Sequence, residues 1–304
     1  MKKRLFVTGL SGFVGRHIQS RLTTPDSGWE LLSVNSRFDL CDRNSLDGLW
    51  PQMPDAVIHL AGQTFVPDAF RDPAKTLQVN LLGTLNLLQA LKARGFNGTF
   101  LYVSSGDVYG QVSESDLPIT EQQLPCPRNP YAVSKLSAEF LTLQWGLSEG
   151  WPVQVARPFN HIGAGQKDSF AIASAARQIC RIQQGLQAPV LEVGDIDVTR
   201  DFLDVSDVVS AYLALLERGE AGQVYNICSG VEQSIRSLIE QLADIAQVDL
   251  QLVQDPARLR RAEQRRVCGS PARLSHATGW APEVTTQQSL RAILSDWASR
   301  VRQE

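Results

Sequence analysis

Tyr131 and Lys135 stand four residues apart in a segment of helical spacing, so both side chains leave the same face. A tyrosine ordinarily gives up its proton near pH ~10. A lysine ammonium beside it favours the phenolate and brings proton exchange with a substrate oxygen toward neutral pH. Ser105 follows an apolar run, Phe100-Leu101-Tyr102-Val103-Ser104, and its hydroxyl is placed to bond the same oxygen. The trio suits hydride transfer between a nicotinamide and a carbonyl or alcohol. Taken alone, Tyr-x-x-x-Lys is a weak signal, because the two residues often meet at that spacing on a solvated helix.

A second feature supplies the missing half. Thr8-Gly9-Leu10-Ser11-Gly12-Phe13-Val14-Gly15 follows the apolar run Leu5-Phe6-Val7 and precedes a helical stretch through Ile18 and Leu22. A strand, a glycine turn and a helix start form a seat for a dinucleotide pyrophosphate. Gly9 allows the tight turn, Gly12 lets phosphates approach the backbone, and Gly15 is expected to let the helix pack close to the sheet. The free N–H groups of the first helical turn and the helix dipole favour negative charge there. The spacing is G-x-x-G-x-x-G rather than the commoner G-x-G-x-x-G, and a turn with no ligand is the plain alternative.

These residues need a scaffold that brings strand ends together. Short apolar runs recur at Glu30–Val34, Ala56–Ala61, Phe100–Ser104 and Val153–Ala156. Between them lie helical stretches, one marked by Leu77, Leu81, Leu85, Leu88 and Leu91, another running from Tyr131 to Trp145. The alternation predicts an α/β fold: a Rossmann-type, doubly wound parallel sheet whose carboxyl edge carries the ligands. Further on come a helix from Phe170 to Gln184, a strand at Val190–Val193, an extended run at Arg200–Val205 and a helix at Asp207–Leu216. Val224–Ile227 is a returning strand, followed by a helix near Leu238, a strand near Leu250 and a C-terminal helix through Leu290 and Trp297. The expected division is a dinucleotide-binding part over residues 1–165, with segments near 200–227 returning to it. Residues 166–304 then form mainly a smaller α/β part for the substrate.

Composition narrows the classes. The 304-residue chain can bury roughly three quarters of its unfolded surface. A net charge of -3 with 20% charged residues gives no global basic field for nucleic acid or anionic membrane. The five cysteines are scattered, with no metal-ligand or C-x-x-C spacing, so free thiols, a reducing compartment and no metal site are expected. No stretch approaches the ~20 apolar residues of a membrane span, and the run after Met1 is too short for a signal peptide. A soluble cytoplasmic protein is expected.

Taken together, the motifs resemble the extended short-chain dehydrogenase/reductase family, in its nucleotide-sugar epimerase/dehydratase/reductase branch. The segments that carry the resemblance run almost end to end: Thr8 to Gly15, His59-Leu60-Ala61-Gly62, Asn80 to Thr84, Ser104 to Gly110, Pro130 to Lys135, Arg157 to Gly163, Arg200-Asp201-Phe202 and Gly279-Trp280. The resemblance implies reduction of the 4-keto group of a GDP-linked 4-keto-6-deoxy sugar, GDP-4-dehydro-6-deoxy-D-mannose, on a route to polysaccharide. It also implies roles. Gly9, Gly12, Phe13 and Val14 would hold the pyrophosphate, Asp39 and Leu40 would touch the adenine, and Leu60, Ala61 and Gly62 would line the adenosine and ribose path. Tyr131 and Lys135 would also hold the nicotinamide ribose. Asn160 would reach the sugar nucleotide, while Arg200, Arg260 and Glu263 would hold its diphosphate or ribose. A homodimer through helices near 75–94 and 131–149 is implied as well.

Two departures from the branch's patterns matter. Its 4,6-dehydratases carry a glutamate after the serine or threonine, and here Gly106 and Asp107 stand there. Aspartate is one methylene shorter, and elimination needs a base within reach of the C5 proton, so reduction is favoured over dehydration of GDP-mannose. Asp107 is then read, with Gly106, as a substrate contact. The second strand leads to Asn35-Ser36-Arg37, with no carboxylate for a ribose 2′-hydroxyl. Arg37 can accept a 2′-phosphate, which favours NADPH and leaves NADH possible; a solvent-facing Arg37 is the plain reading. A non-catalytic dinucleotide sensor is a remote alternative, since such proteins tend to lose the tyrosine or lysine. His59 reads as a packing residue, His161 as loop support or substrate contact. The arginines from Arg258 to Arg266 read as a basic cluster suited to phosphate.

Overall fold

The computed structural model describes residues 2–24, 27–258 and 264–304. The chain begins β1 (Lys3–Thr8), α1 (Phe13–Leu22), β2 (Trp29–Leu31) and β3 (Ala56–His59). Helices α2 (Val66–Arg71) and α3 (Pro73–Leu77) then run through a five-residue π turn, Gln78–Leu82, into α4 (Gly83–Ala93). Next come β4 (Thr99–Val103), α5 (Pro130–Glu149), β5 (Val153–Pro158), β6 (Asn160–Ile162), α6 (Ala171–Gln183), β7 (Val190–Val193) and β8 (Thr199–Asp204). The chain ends with α7 (Val205–Arg218), β9 (Val224–Ile227), β10 (Glu232–Ser234), α8 (Ile235–Ala246), β11 (Gln251–Gln254), α9 (Ala272–Thr278) and α10 (Thr286–Val301).

Six of these strands form one parallel sheet in the order β2-β1-β3-β4-β5-β9. The central strands read as unbroken apolar runs because both faces are covered. Leu5, Val7, Ile58 and Leu101 pack on one side with α1 and α7, whereas Phe6, Val57, Phe100 and Val155 pack on the other with Leu87, Leu91 and Trp50. The register pairs Thr8 with His59, His59 with Tyr102, and Val103 with Ala156, so the carboxyl ends of four strands share one edge. The remaining strands form two small sheets, β10-β8-β6 and β11-β7. A third core of Ile172, Ile179, Leu238, Leu242, Leu290 and Trp297 holds α6, α8 and α10 beside them. Among the described residues, no helix is long and apolar enough to cross a membrane.

Two local expectations are corrected. The second strand stops at Leu31 rather than Val34: after Leu32 N–H donates to Leu5 O, Asn35 turns its N–H to Leu49 O and its amide to Gly48 O, which draws the chain off the sheet edge. The leucine stripe is not one core seam either. Leu77, Leu81 and Leu85 are only half-buried, and the seam instead runs Thr76, Asn80, Thr84, Leu87, Leu88 and Leu91. The π turn adds a residue to the helical period and rotates the buried face, a device common at functional sites.

Candidate active site

The glycine turn has the shape its spacing predicts. Gly9 adopts φ 79°, open to glycine and unfavourable for other residues, and Gly12 N–H closes the turn on Gly9 O at 2.9 Å. Gly12 is exposed and is the N-cap of α1, so the capping position brings no side chain over the first-turn N–H groups. Gly15 works differently from the expectation. A Cβ there would lie 2.3 Å from Gly9 O and 2.6 Å from Leu10 Cα, so this glycine lets the helix close on its own turn rather than on the sheet.

The other residues expected at the nucleotide follow β1, β2 and β3. Leu60, Ala61 and Gly62 follow β3 and are half-buried beside the turn; a Cβ on Gly9 would come within 3.0 Å of Ala61 N. Phe13 and Val14 start α1, both half-buried. Leu40 is buried and packs against Gly83, while Asp39 is exposed and accepts from Cys41 N–H. Asn35, Ser36 and Arg37 are exposed, and no carboxylate occupies these three positions. The cradle a Cβ would fill, the uncapped helix start and the absence of an acid there fit a dinucleotide with a 2′-phosphate.

Helix α5 places Tyr131 and Lys135. Asn129 caps it by accepting from Ala132 N–H at 2.7 Å, Pro130 occupies its first turn, and Gly150 ends it at φ 71°. Such a cap is worth about 1 kcal/mol and fixes where the helix starts. Tyr131 and Lys135 therefore sit on its first two turns, both buried. Ser105 follows β4 and caps the short turn Gly106–Tyr109 by accepting from Asp107 N–H. Its hydroxyl lies close enough to the Tyr131 phenol to favour the phenolate. Gly106 is half-buried, a Cβ there lying 3.2 Å from the Phe159 ring, and Asp107 is exposed at the same mouth.

The charges do not settle as the spacing alone suggests. Burial pushes the Tyr131 phenol well above its ordinary value, the Asp107 carboxylate adds to this, and the Ser105 hydroxyl opposes it. Lys135 does not reverse that balance, because its own burial brings it down to about 7, opposed by Glu139. The ammonium rests 4.8 Å from the centre of the Tyr102 ring.

Asn80 is the residue the sequence reading left without a role. It is buried in the π turn, accepts from Gln63 N–H at 2.7 Å and donates to Ser134 Oγ at 2.8 Å. A Cβ on Gly62 would lie 2.9 Å from its amide oxygen and 4.0 Å from Lys135 Nζ. An amide set within a run of leucines was the available signal.

The residues expected at the substrate divide. Asn160, exposed at the start of β6, pairs with Phe202 of β8, and Arg200 stands two residues earlier on β8, donating to Thr199 O at 2.7 Å. These two are brought together. Arg260 and Glu263 lie outside the described residues. Arg265 and Arg266, read as part of a basic cluster suited to phosphate, are ion-paired: Arg265 with Asp195, Arg266 with Glu232 and Glu114. Acids distant in sequence fold back onto them. His161 supports the loop: Nδ1 lies 3.1 Å from Phe159 O and its ring stacks on Phe13.

Over residues 34–293 the sequence matches the family profile described as GDP-mannose 4,6 dehydratase. A GDP-6-deoxy-D-mannose reductase of Pseudomonas aeruginosa is 74% identical over 304 residues, 100% of both chains. A GDP-mannose 4,6-dehydratase of Vibrio cholerae is 26% identical over 97% of this chain and 93% of its own. Among solved structures, that of RMD from Pseudomonas aeruginosa complexed with NADPH matches with a TM-score of 0.96 at 73% identity, over 98% of this chain and 100% of that one.

Proposed function

This chain belongs to the GDP-mannose 4,6 dehydratase family, among the extended short-chain dehydrogenase/reductases, and from that premise we propose that it reduces the 4-keto group of GDP-4-dehydro-6-deoxy-D-mannose with NADPH, giving GDP-6-deoxy-D-mannose (GDP-D-rhamnose). The observation that carries the reading is the pairing of a complete Ser105–Tyr131–Lys135 trio with Gly106-Asp107 in place of a glutamate base.

NADPH, when bound, supplies the hydride that C4 accepts. Gly9, Gly12, Phe13, Val14 and Gly15 seat its pyrophosphate, Asp39 and Leu40 its adenine, Leu60, Ala61 and Gly62 its ribose path, and Arg37 its 2′-phosphate. Tyr131 gives its proton to the C4 oxygen; a phenol kept protonated by burial is an acid in waiting. Ser105 orients that oxygen. Lys135 holds the nicotinamide ribose, and its positive charge eases loss of the phenolic proton. Asn160 and Arg200, with Arg260 and Glu263, hold the GDP moiety, and Gly106 and Asp107 border the sugar. In this reading residues 1–165, with the segments returning near 200–227, bind the dinucleotide, and residues 166–304 mainly bind the sugar nucleotide.

Phe70, Leu82, Val133, Phe140 and Leu147 are exposed on α2, the π turn and α5, and α3, the π turn and α4 pack alongside α5. This apolar face supports a homodimer through the helices near 75–94 and 131–149. The enzyme works in the cytoplasm, at a step leading to polysaccharide.

The test is incubation with GDP-4-dehydro-6-deoxy-D-mannose and NADPH, with the product followed by NMR. Loss of the reduced-coenzyme absorbance and appearance of GDP-6-deoxy-D-mannose are expected. Formation of the keto sugar from GDP-mannose without added reductant would overturn the reading in favour of a dehydratase.

A further inference from the structure

Helix α5 carries a buried polar stripe at four-residue intervals: Tyr131, Lys135 and Glu139. Glu139 has no water to face, its side chain being 1% exposed. Both its oxygens are taken by Arg157 of β5: Nε donates to Oε2 at 3.1 Å and Nη2 donates to Oε1. Arg157 is itself only 5% exposed and rests 4.8 Å from the centre of the Tyr109 ring. Tyr109 closes the short turn that begins at Ser105, and its hydroxyl donates to Asn226 Oδ1 at 2.6 Å. One guanidinium therefore touches both halves of the site's floor, the α5 stripe and the underside of the Ser105 turn.

A buried ion pair is a poor choice for stability alone, because a well-packed apolar pair of the same size commonly serves a fold as well. Its placement offers another use. The groups around Lys135 are Tyr131 and Glu139 on its own helix, the Tyr102 ring from β4, neutral His59 from β3, Arg157 from β5 behind Glu139, and exposed Asp107 toward Tyr131. Glu139 is the one buried carboxylate among them.

We propose that Glu139 and Arg157 are positioning residues for the proton-transfer step: the Glu139 carboxylate, one helical turn from Lys135, keeps that lysine charged, while Arg157 holds the carboxylate in place through two hydrogen bonds and braces Tyr109 beneath Ser105. The proposal rests on the reading of Tyr131 and Lys135 as the proton-transfer pair. Its electrostatic sign agrees with the direction found for Lys135, which burial lowers and Glu139 raises.

The experiment follows Lys135 directly, by NMR titration of its ε-carbon in protein made with labelled lysine, the signal assigned through Lys135→Arg. It uses wild type, Glu139→Gln, and Glu139→Gln combined with Arg157→Met, which removes both members of the ion pair rather than stranding the guanidinium. The Lys135 midpoint falls by about one pH unit in both variants, and the basic limb of the kcat profile moves down with it. Should neither variant fold, Glu139→Asp is titrated, its carboxylate drawn back by one methylene; a smaller downward shift supports the proposal, and no shift overturns it. An unmoved Lys135 in a folded double variant overturns it too. Tyr131→Phe is run in parallel: retained turnover there defeats the proton-transfer reading itself, whatever Lys135 does.

Discussion

The Thr8 hydroxyl lies 2.7 Å from Nδ1 of His59, across the pairing of β1 with β3. Ala61 N–H donates to the same Thr8 oxygen at 3.1 Å. On the far side, Thr84 Oγ1 donates to Asn80 O at 2.6 Å, which leaves its oxygen to accept from His59 Nε2–H at 2.9 Å. The network thus assigns the tautomer: Nε2 carries the proton and Nδ1 accepts. A neutral imidazole ties the glycine-turn strand to the π turn that carries Asn80.

Acid stability follows from this. Burial, helped by the Lys135 charge, brings His59 down to about 3, below the ~6.5 of an unfolded chain. Between those values the unfolded chain binds a proton that the folded one refuses, so stability falls as pH drops through that window. The slope reaches about 1.4 kcal/mol per pH unit. Urea unfolding at successive pH values is expected to show a steeper acid decline in wild type than in His59→Gln. Equal slopes would mean that His59 titrates in the folded protein as it does in the unfolded one.

Replacing Tyr131 with phenylalanine removes the acid and keeps the packing. Turnover of the keto sugar is expected to drop at least ~100-fold, the usual size of a general acid contribution, with NADPH affinity within a few-fold of wild type. Stopped-flow reduction and coenzyme titration measure the two separately. A variant near wild-type turnover removes Tyr131 from the reaction.

At Gly15 an added methyl group would collide with Gly9 O and Leu10 Cα, both backbone atoms that cannot swing away. Gly15→Ala is expected to cost about 1–3 kcal/mol of stability and to weaken NADPH binding at least ~10-fold. Gly28→Ala, where a Cβ meets nothing within 4 Å, serves as the control. Calorimetric titration and thermal unfolding distinguish them, and matching behaviour of the two variants counts against the close approach at the turn.

Arg200 tests the diphosphate assignment. Charge-assisted hydrogen bonds contribute about 1.5–3 kcal/mol, so Arg200→Ala is expected to raise KM for the keto sugar ~10- to 100-fold. NADPH affinity should stay put. A loss confined to coenzyme binding would place Arg200 on the other ligand.

What the residues reveal in advance is what neighbours in sequence decide. Most of the apolar runs, the Gly9 turn and the four-residue step from Tyr131 to Lys135 are local, and the structure realises them, the second strand being the one cut short. Glu139 and Arg157 are 18 positions apart and meet only when β5 lies down beside α5. The partners of Arg265 and Arg266 were hidden in the same way, since Asp195 and Glu114 come from other segments. The π turn escaped because a regular period was assumed through Leu81 and Leu85. The phenol's direction escaped because spacing carries no information about burial, and burial is the largest influence on Tyr131.

One property of the sheet reaches beyond chemistry. Its last strand, Val224–Ile227, hydrogen-bonds to Val155–Pro158 only after the polypeptide has travelled through α6, α7 and three strands of the two smaller sheets. A gene cut after residue 165 would therefore encode a half-product with an open, apolar strand margin along β5, prone to pair with its own copies. The sheet cannot be completed until the chain has been made through Ile227.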